Sequence, residues 1–182
     1  MPRADPERRD RIIDAALECV AVDGVAGTSH RKVAARAGVP LGSMTYHFAG
    51  MDELLVEAFT RFAATIADAF EKRLATTGSG RDDLVDALVD LIHGDLQRSV
   101  SEQVLSYELY TLAARRPEFR AITHDWMRAS RVALGRHLDP VTARIVDAYV
   151  EGAAMHIALD PEPQTPDVTR DAVRRLIGVP GR

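Results

Sequence analysis

A chain of 182 residues, 46% apolar and 5% aromatic, is long enough for one domain with a sizeable core, or for a small module fused to a larger one. Its 12 Gly and 9 Pro are too few for a collagen-like or low-complexity protein, its one cysteine (Cys19) excludes an intramolecular disulfide, and no apolar run reaches the length of a membrane span. The formal charge of −4 argues on average against a nucleic-acid partner, and the opening MPRADPERRD lacks a signal-peptide apolar region, so the expectation is a soluble protein of the cytoplasm.

Asp5-Pro6-Glu7 reads as a helix start, with Asp as N-cap. Ile13, Ala16, Leu17 and Val20 follow at helical spacing, and Gly24 supplies a left-handed stop. Thr28 or Ser29 caps a short second helix with Val33, Ala34 and Ala37 inward, ended by Gly38. Pro40 opens a short third helix through Phe48. Asp52 and Glu53 begin a long fourth, striped by Leu54, Leu55, Ala58, Phe59, Phe62, Ile66, Phe70 and Leu74, which runs out in the loop 76–80. A fifth helix covers Leu84 to Leu96. Leu105, Tyr107 and Leu109 alternate as in a strand, but Leu105, Leu109 and Leu112 also fit a helix that continues into Arg116, and helix is the reading taken. Pro117 starts a seventh, through about Leu138. Asp139-Pro140 precedes an eighth, Val141 to about Leu159. Pro161, Pro163 and Pro166 form a stiff linker before a last helix, Val168 to Ile177. The predicted fold is all-α, with about nine helices: a three-helix head over residues 1–50 and a helical bundle over 51–182.

Charge is distributed unevenly along this plan. From Gly24 to Met51 there is no acid, only Arg31, Lys32 and Arg36, whereas about four acids would fall in those 28 residues at the chain's overall content. The same window has the pattern of a helix-turn-helix. Ala34 is small where a second helix crosses, Gly38 tolerates a left-handed turn, and Val39 and Met44 anchor the turn and second helix over Val33. Ser43, Thr45, Tyr46 and His47 are then predicted to face outward. The competing reading is an αα-hairpin packed into a core.

Residues 8–55 resemble the amino-terminal domain of TetR-type (tetracycline-repressor-like) transcriptional regulators, on the strength of RIIDAALECVAVDG, TSHRKVAARAGV, and GSMTYHF followed by DELL. The resemblance implies a homodimer bound to a pseudo-palindromic double-stranded DNA operator, with a small-molecule effector held by the carboxy-terminal part. It places Ser29, His30 and Arg31 against the phosphate backbone, Leu41, Gly42, Ser43 and Thr45 at base edges, and Tyr46 and His47 on phosphates, a division that suits their chemistry. Lys32 adds positive charge beside Arg31. The chain departs from many relatives at Pro40, Leu41, Thr45 and Met51, where Ser, a polar or basic residue, Tyr and Lys are usual. Those departures shift operator affinity toward Arg31, Lys32 and the amino-terminal arginines.

Elsewhere the chemistry is sparse. No two of the six histidines stand three or four residues apart, and no enzyme motif is present, so no metal, cofactor or catalytic residue is predicted. His93, Tyr107, Glu108, Tyr110, His124, Trp126, Met127 and His156 are candidates to line an effector cavity; the alternative is ordinary core and rim. Val141 to Leu159 is apolar nearly all round. With small Ala153 and Ala154 beside Gly152, and with Val173, Leu176 and Ile177 on the last helix, it is the candidate dimer surface; the alternative is a central helix enclosed by its own chain. The reading that unites these features is a ligand-responsive homodimeric repressor whose effector, bound between the fifth and eighth helices, moves the fourth. Its rivals are a helical protein–protein interaction module and a small all-α enzyme using His93, Tyr107, Glu108 and His124.

Overall fold

The computed structural model describes residues 7–97 and 99–178, and among these it contains nine α-helices, one 3₁₀ turn and no strand. The helices are α1 (Arg8–Gly27), α2 (His30–Ala37), α3 (Gly42–His47), α4 (Met51–Ala75), α5 (Arg81–His93), α6 (Val100–Arg115), α7 (Pro117–Leu134), α8 (Pro140–Leu159) and α9 (Pro166–Leu176). The all-α expectation is met, and the ambiguous segment around Leu105 is helical. The Asp5-Pro6 cap lies outside the described residues.

Several boundaries differ from the sequence reading: α3 starts at Gly42 and not Pro40, α5 at Arg81 and not Leu84, and α7 ends at Leu134 and not Leu138, while four others have a local reason. Gly24, at φ 69° and ψ 172°, breaks the ladder of α1, but one further turn continues to Gly27. The fifth helix ends at His93, and Leu96 falls in the 3₁₀ turn Asp95–Gln97. The sixth starts earlier, because the Ser99 hydroxyl accepts from the Glu102 amide at 3.0 Å and so satisfies an orphan donor of the first turn. Pro166 belongs to the last helix, not to the linker: Thr165 is the N-cap and Pro166 the first helical residue, where a missing N–H costs nothing.

The described chain forms two compact units. The first contains the residues up to Ala64 together with Val104–Thr123. Its core joins Ile12, Ile13, Ala16 and Cys19 of α1 to Val33 and Ala34 of α2, Met44 and Phe48, and Leu54 and Ala58 of α4. Phe59 is fully buried and meets Phe119 edge-on, ring centroids 6.0 Å apart. Arg116, at the α6–α7 corner, donates to Asp52 at the start of α4 (2.9 Å) and to Glu118 at the start of α7 (2.6 Å). Its hydrogen bond to Asp52 holds that carboxyl below the usual range.

The second unit is built around α5. Leu84, Val85, Ala87, Leu88, Val89, Leu91 and Ile92 are all buried, more than one stripe, because α5 is covered from several sides by α8, α9 and the end of α4. Arg174 of α9 pairs with Asp82 at 2.8 Å, and Arg170 pairs with Asp86. Arg131 of α7 meets the buried Asp147 of α8 at 3.3 Å, and burial still pushes that carboxyl above its ordinary range.

His93, near the end of α5, lies 2.7 Å from the hydroxyl of Thr169, which is fully buried and also accepts from Gln164 at 2.7 Å. Desolvation lowers the imidazole pKa, so the folded protein favours neutral His93. A base with a depressed folded pKa binds fewer protons folded than unfolded in the window just below the ordinary value of about 6.5. Stability is therefore expected to fall on acidification through that window, and His93→Gln, which keeps a hydrogen-bonding amide, should flatten the decline. Thermal melts of both proteins between about pH 7.5 and 5 read the difference.

Candidate nucleic-acid interface

The first unit presents α2 and α3 as two short helices across a tight turn. Ser29, in extended conformation, caps α2 by accepting from the Lys32 amide at 3.4 Å, and Thr28 bonds back to the Gly24 carbonyl at 2.8 Å. Gly38 is left-handed (φ 64°, ψ 35°), and its amide returns to the carbonyls of Ala34 and Ala35. Val39 then donates to Ala34 at 3.0 Å. On α3 the anchor Met44 is 1% exposed, seated with Val33 (0%) and Ala34 (3%). The anchors inferred from the sequence are the ones the fold uses.

What remains outside is a small polar and aromatic face. Tyr46 is 84% exposed and Leu41 54%, with Thr45 and Gly42 also exposed. The Tyr46 ring stands edge-on to His47 at 4.9 Å. Thr45 closes on the helix itself through the Gly42 carbonyl at 3.2 Å. Nothing stands within 4 Å of where a Cβ on Gly42 would be, and its backbone is not left-handed, so the protein itself gives no reason for glycine there. Ser43 corrects the sequence reading. It is only 9% exposed, because it precedes Met44 on the inward side of a helix too short to turn it out.

The basic side chains also sort differently from their positions. Arg31 is exposed and forms no ion pair among the described residues, and His30 is half-buried at the start of α2. Lys32 is held by Asp23 at 2.9 Å and by the Gly27 carbonyl at 2.9 Å. Arg36 reaches Glu18 at 3.3 Å. Arg9 pairs with Glu57 and lies over the Phe48 ring at 5.0 Å. The acid-free stretch is thus partly neutralised by acids of α1, which a count along the window does not show.

Residues 12–58 match the model of the tetR family of bacterial regulatory proteins, and residues 79–179 match that of a tetracyclin repressor-like C-terminal domain. The chain belongs to the TetR family. It is a helix-turn-helix transcriptional regulator, with the DNA-binding function of that family. Among solved structures it is similar to SCO7518 of Streptomyces coelicolor A3(2), described as a candidate transcriptional regulator, at 49% identity over 94% of this chain and 99% of that one, with a TM-score of 0.89. The multidrug binding protein EbrR, complexed with ethidium, is 38% identical over 94% of this chain and 99% of its own, with a TM-score of 0.79. The transcriptional regulator BetI 1 of Chromohalobacter salexigens is 27% identical over 86% of this chain and 82% of its length.

Of the eight candidate effector contacts in this TetR-family chain, Tyr107, Glu108 and Tyr110 belong to the first unit and His93, His124, Trp126, Met127 and His156 to the second. His124 and Met127 face out from α7, because the inward register runs through Phe119, Ile122, Thr123, Trp126 and Ser130. His156 likewise lies off the inward row Val146, Val150 and Ala153 of α8. His93 is engaged with Thr169. Glu108 of α6 fills the space that a side chain at Gly24 would take, its Oε1 2.8 Å from a Cβ built there. Tyr107 and Tyr110 are half-buried, and Trp126 is buried.

Gly38→Ala places a Cβ at φ 64° with nothing in its way, so the cost is conformational alone, about 1–2 kcal/mol. Urea unfolding should record a loss of that size, and Gly42→Ala should leave stability nearly unchanged or raise it slightly.

Proposed function

We propose that the chain is a cytoplasmic, homodimeric repressor, released from a palindromic operator by a small-molecule effector. It performs no catalysis in this reading. Residues 1–50 form the reading head and residues 51–182 the ligand-binding and dimerisation part. Leu41, Gly42, Thr45, Tyr46 and His47 face the major groove and its phosphates; Ser29, His30 and Arg31 meet the backbone at the start of α2. The observation that carries this reading is the exposed face of α3. A large aromatic left 84% exposed and a glycine with no internal reason to be one both make sense when a duplex approaches them. Ser43 supports α3 from beneath and does not read bases. Three of the four candidates of the enzyme alternative have local explanations of their own: His93 bonds Thr169, Glu108 covers Gly24 and His124 faces outward.

Effector binding rests on the family and on EbrR, whose solved complexes hold imidazole, ethidium, proflavin and malachite green. Aromatic residues suited to such contacts are Tyr107 and Tyr110 in the first unit and, separately, Trp126 in the second. No helix among the described residues is long and apolar enough to cross a membrane.

The dimer surface is the outer face of α8. Val141, Ile145, Ala148, Gly152, Met155 and Leu159 are all exposed and recur every three or four residues, a second apolar stripe beside the buried one. Ala148 and Gly152 are small enough to let a second helix come close. This replaces the earlier choice of small residues, since Ala153 is buried within its own unit, as are Val173 and Ile177. A groove of about 490 Å³ lined by Tyr149, Val168, Asp171, Ala172, Arg175 and Leu176 continues the face onto α9. The monomer-enclosed alternative does not suit Val141 and Leu159, which are 69% and 65% exposed.

Two measurements test the reading. Arg31→Ala should weaken binding to all duplex sequences alike and flatten the logarithmic salt dependence by about 0.9 per protomer, seen by fluorescence anisotropy across a salt series. An unchanged slope would remove Arg31 from the interface. Ile145→Glu should shift the sedimenting species from dimer to monomer and weaken binding to a palindrome, because charge on a buried stripe goes uncompensated.

A further inference from the structure

Two lysine or arginine residues at adjacent positions of α2 have different freedom, and the difference has a cause built into α1. Arg31 stands exposed without an ion pair among the described residues. Lys32 spends two of its three N–H donors inside the protein, one on the Asp23 carboxylate and one on the Gly27 carbonyl, both at 2.9 Å. The Gly24 break makes this geometry possible. It ends the long part of α1 and turns the last residues, so that the Asp23 side chain and the Gly27 carbonyl converge on one ammonium group. Gly27 is needed as well: a Cβ there would stand 2.9 Å from the Asp23 Cβ, too close for both to keep their places.

We propose that Asp23 is an internal counter-ion that withholds Lys32 from DNA phosphate and so limits the affinity of the reading head. The inference rests on the DNA-binding reading above and adds a residue, Asp23, that lies on α1, outside the helix-turn-helix pair. The third N–H of Lys32 stays open, but the Asp23 carboxylate offsets the ammonium charge that a phosphate would meet, and a phosphate that takes Lys32 over must displace a tethered anion present at high effective concentration. The salt dependence of binding therefore counts Arg31 and not Lys32. A regulator limited in this way binds non-specific duplex less tightly, because phosphate contacts supply nearly all of that affinity. The shape of α2 is unaffected, since its cap is the Ser29 hydroxyl and not the Lys32 side chain.

The experiment uses the full chain and a mixed-sequence synthetic duplex, with anisotropy titrations between about 50 and 200 mM salt. Circular dichroism and thermal melts establish that each variant is folded. Asp23→Asn should steepen the salt slope by about 0.9 per protomer, which makes the loss of affinity over that range about 3-fold larger for each cation freed. Lys32→Ala alone should leave the slope as it is, and the double variant should return to it. The proposal fails if Asp23→Asn leaves the slope unaltered, or if Lys32→Ala alone flattens it as Arg31→Ala does. Salt-insensitive binding by the unaltered chain would instead overturn the DNA-binding reading itself.

Discussion

Gly38 decides where α3 can lie. Its left-handed backbone ends α2 after only eight residues and sends Val39 back toward Ala34, so that Met44 arrives over Val33 and closes the small core of the head. Once Met44 is fixed, the outward face follows from helical geometry. Positions 43, 44 and 48 turn in, and 41, 42, 45 and 46 turn out as one contiguous patch. The burial of Ser43 is a consequence of the same constraint, as a six-residue helix has no second turn on which to display every polar side chain.

Net charge describes this surface poorly. The head carries several acids on α1, and nearly every one is assigned to a particular cation: Asp10 and Asp14 to Arg61, Glu18 to Arg36, Asp23 to Lys32. Such exposed pairs contribute little to stability individually. Their effect is on availability. A cation already engaged by a carboxylate is a weaker partner for phosphate than an open one, so the positive field that a duplex meets is narrower than the acid-free window suggests. Of the three cations in that window, Arg31 alone has no ion pair among the described residues.

Much of this was legible in the residues. Helix periodicity, the glycine turn at Gly38, the Asp139-Pro140 cap and the anchors Val33, Ala34 and Met44 are local signals, and local signals survive folding. The start of α6 was missed because its cap, Ser99, looks like any loop serine. The pairing of Lys32 with Asp23 was not legible, since it spans nine residues and depends on the turn after Gly24. The orientation of the candidate effector contacts was not legible for a related reason. Composition shows that amphipathic residues are present, but only the register of α7 and α8 shows that Trp126 goes inward while His124, Met127 and His156 go outward.

The two-sided character of α8 and the small size of α3 bear on each other. A face of four exposed residues, Leu41 and three on α3, can make only a few base contacts, each worth about 1–3 kcal/mol of discrimination, too little to select one site among a genome of competitors. A second copy held at fixed distance doubles the contacts and adds spacing as a further criterion. The stripe Val141, Ile145, Ala148, Gly152, Met155 and Leu159 has the properties such a partner requires: apolar, continuous along five turns, and small at its middle. An α8 that served only its own core would need the row through Val146, Val150 and Ala153 and nothing more. Its second row is the part of the sequence that a single reading head cannot explain.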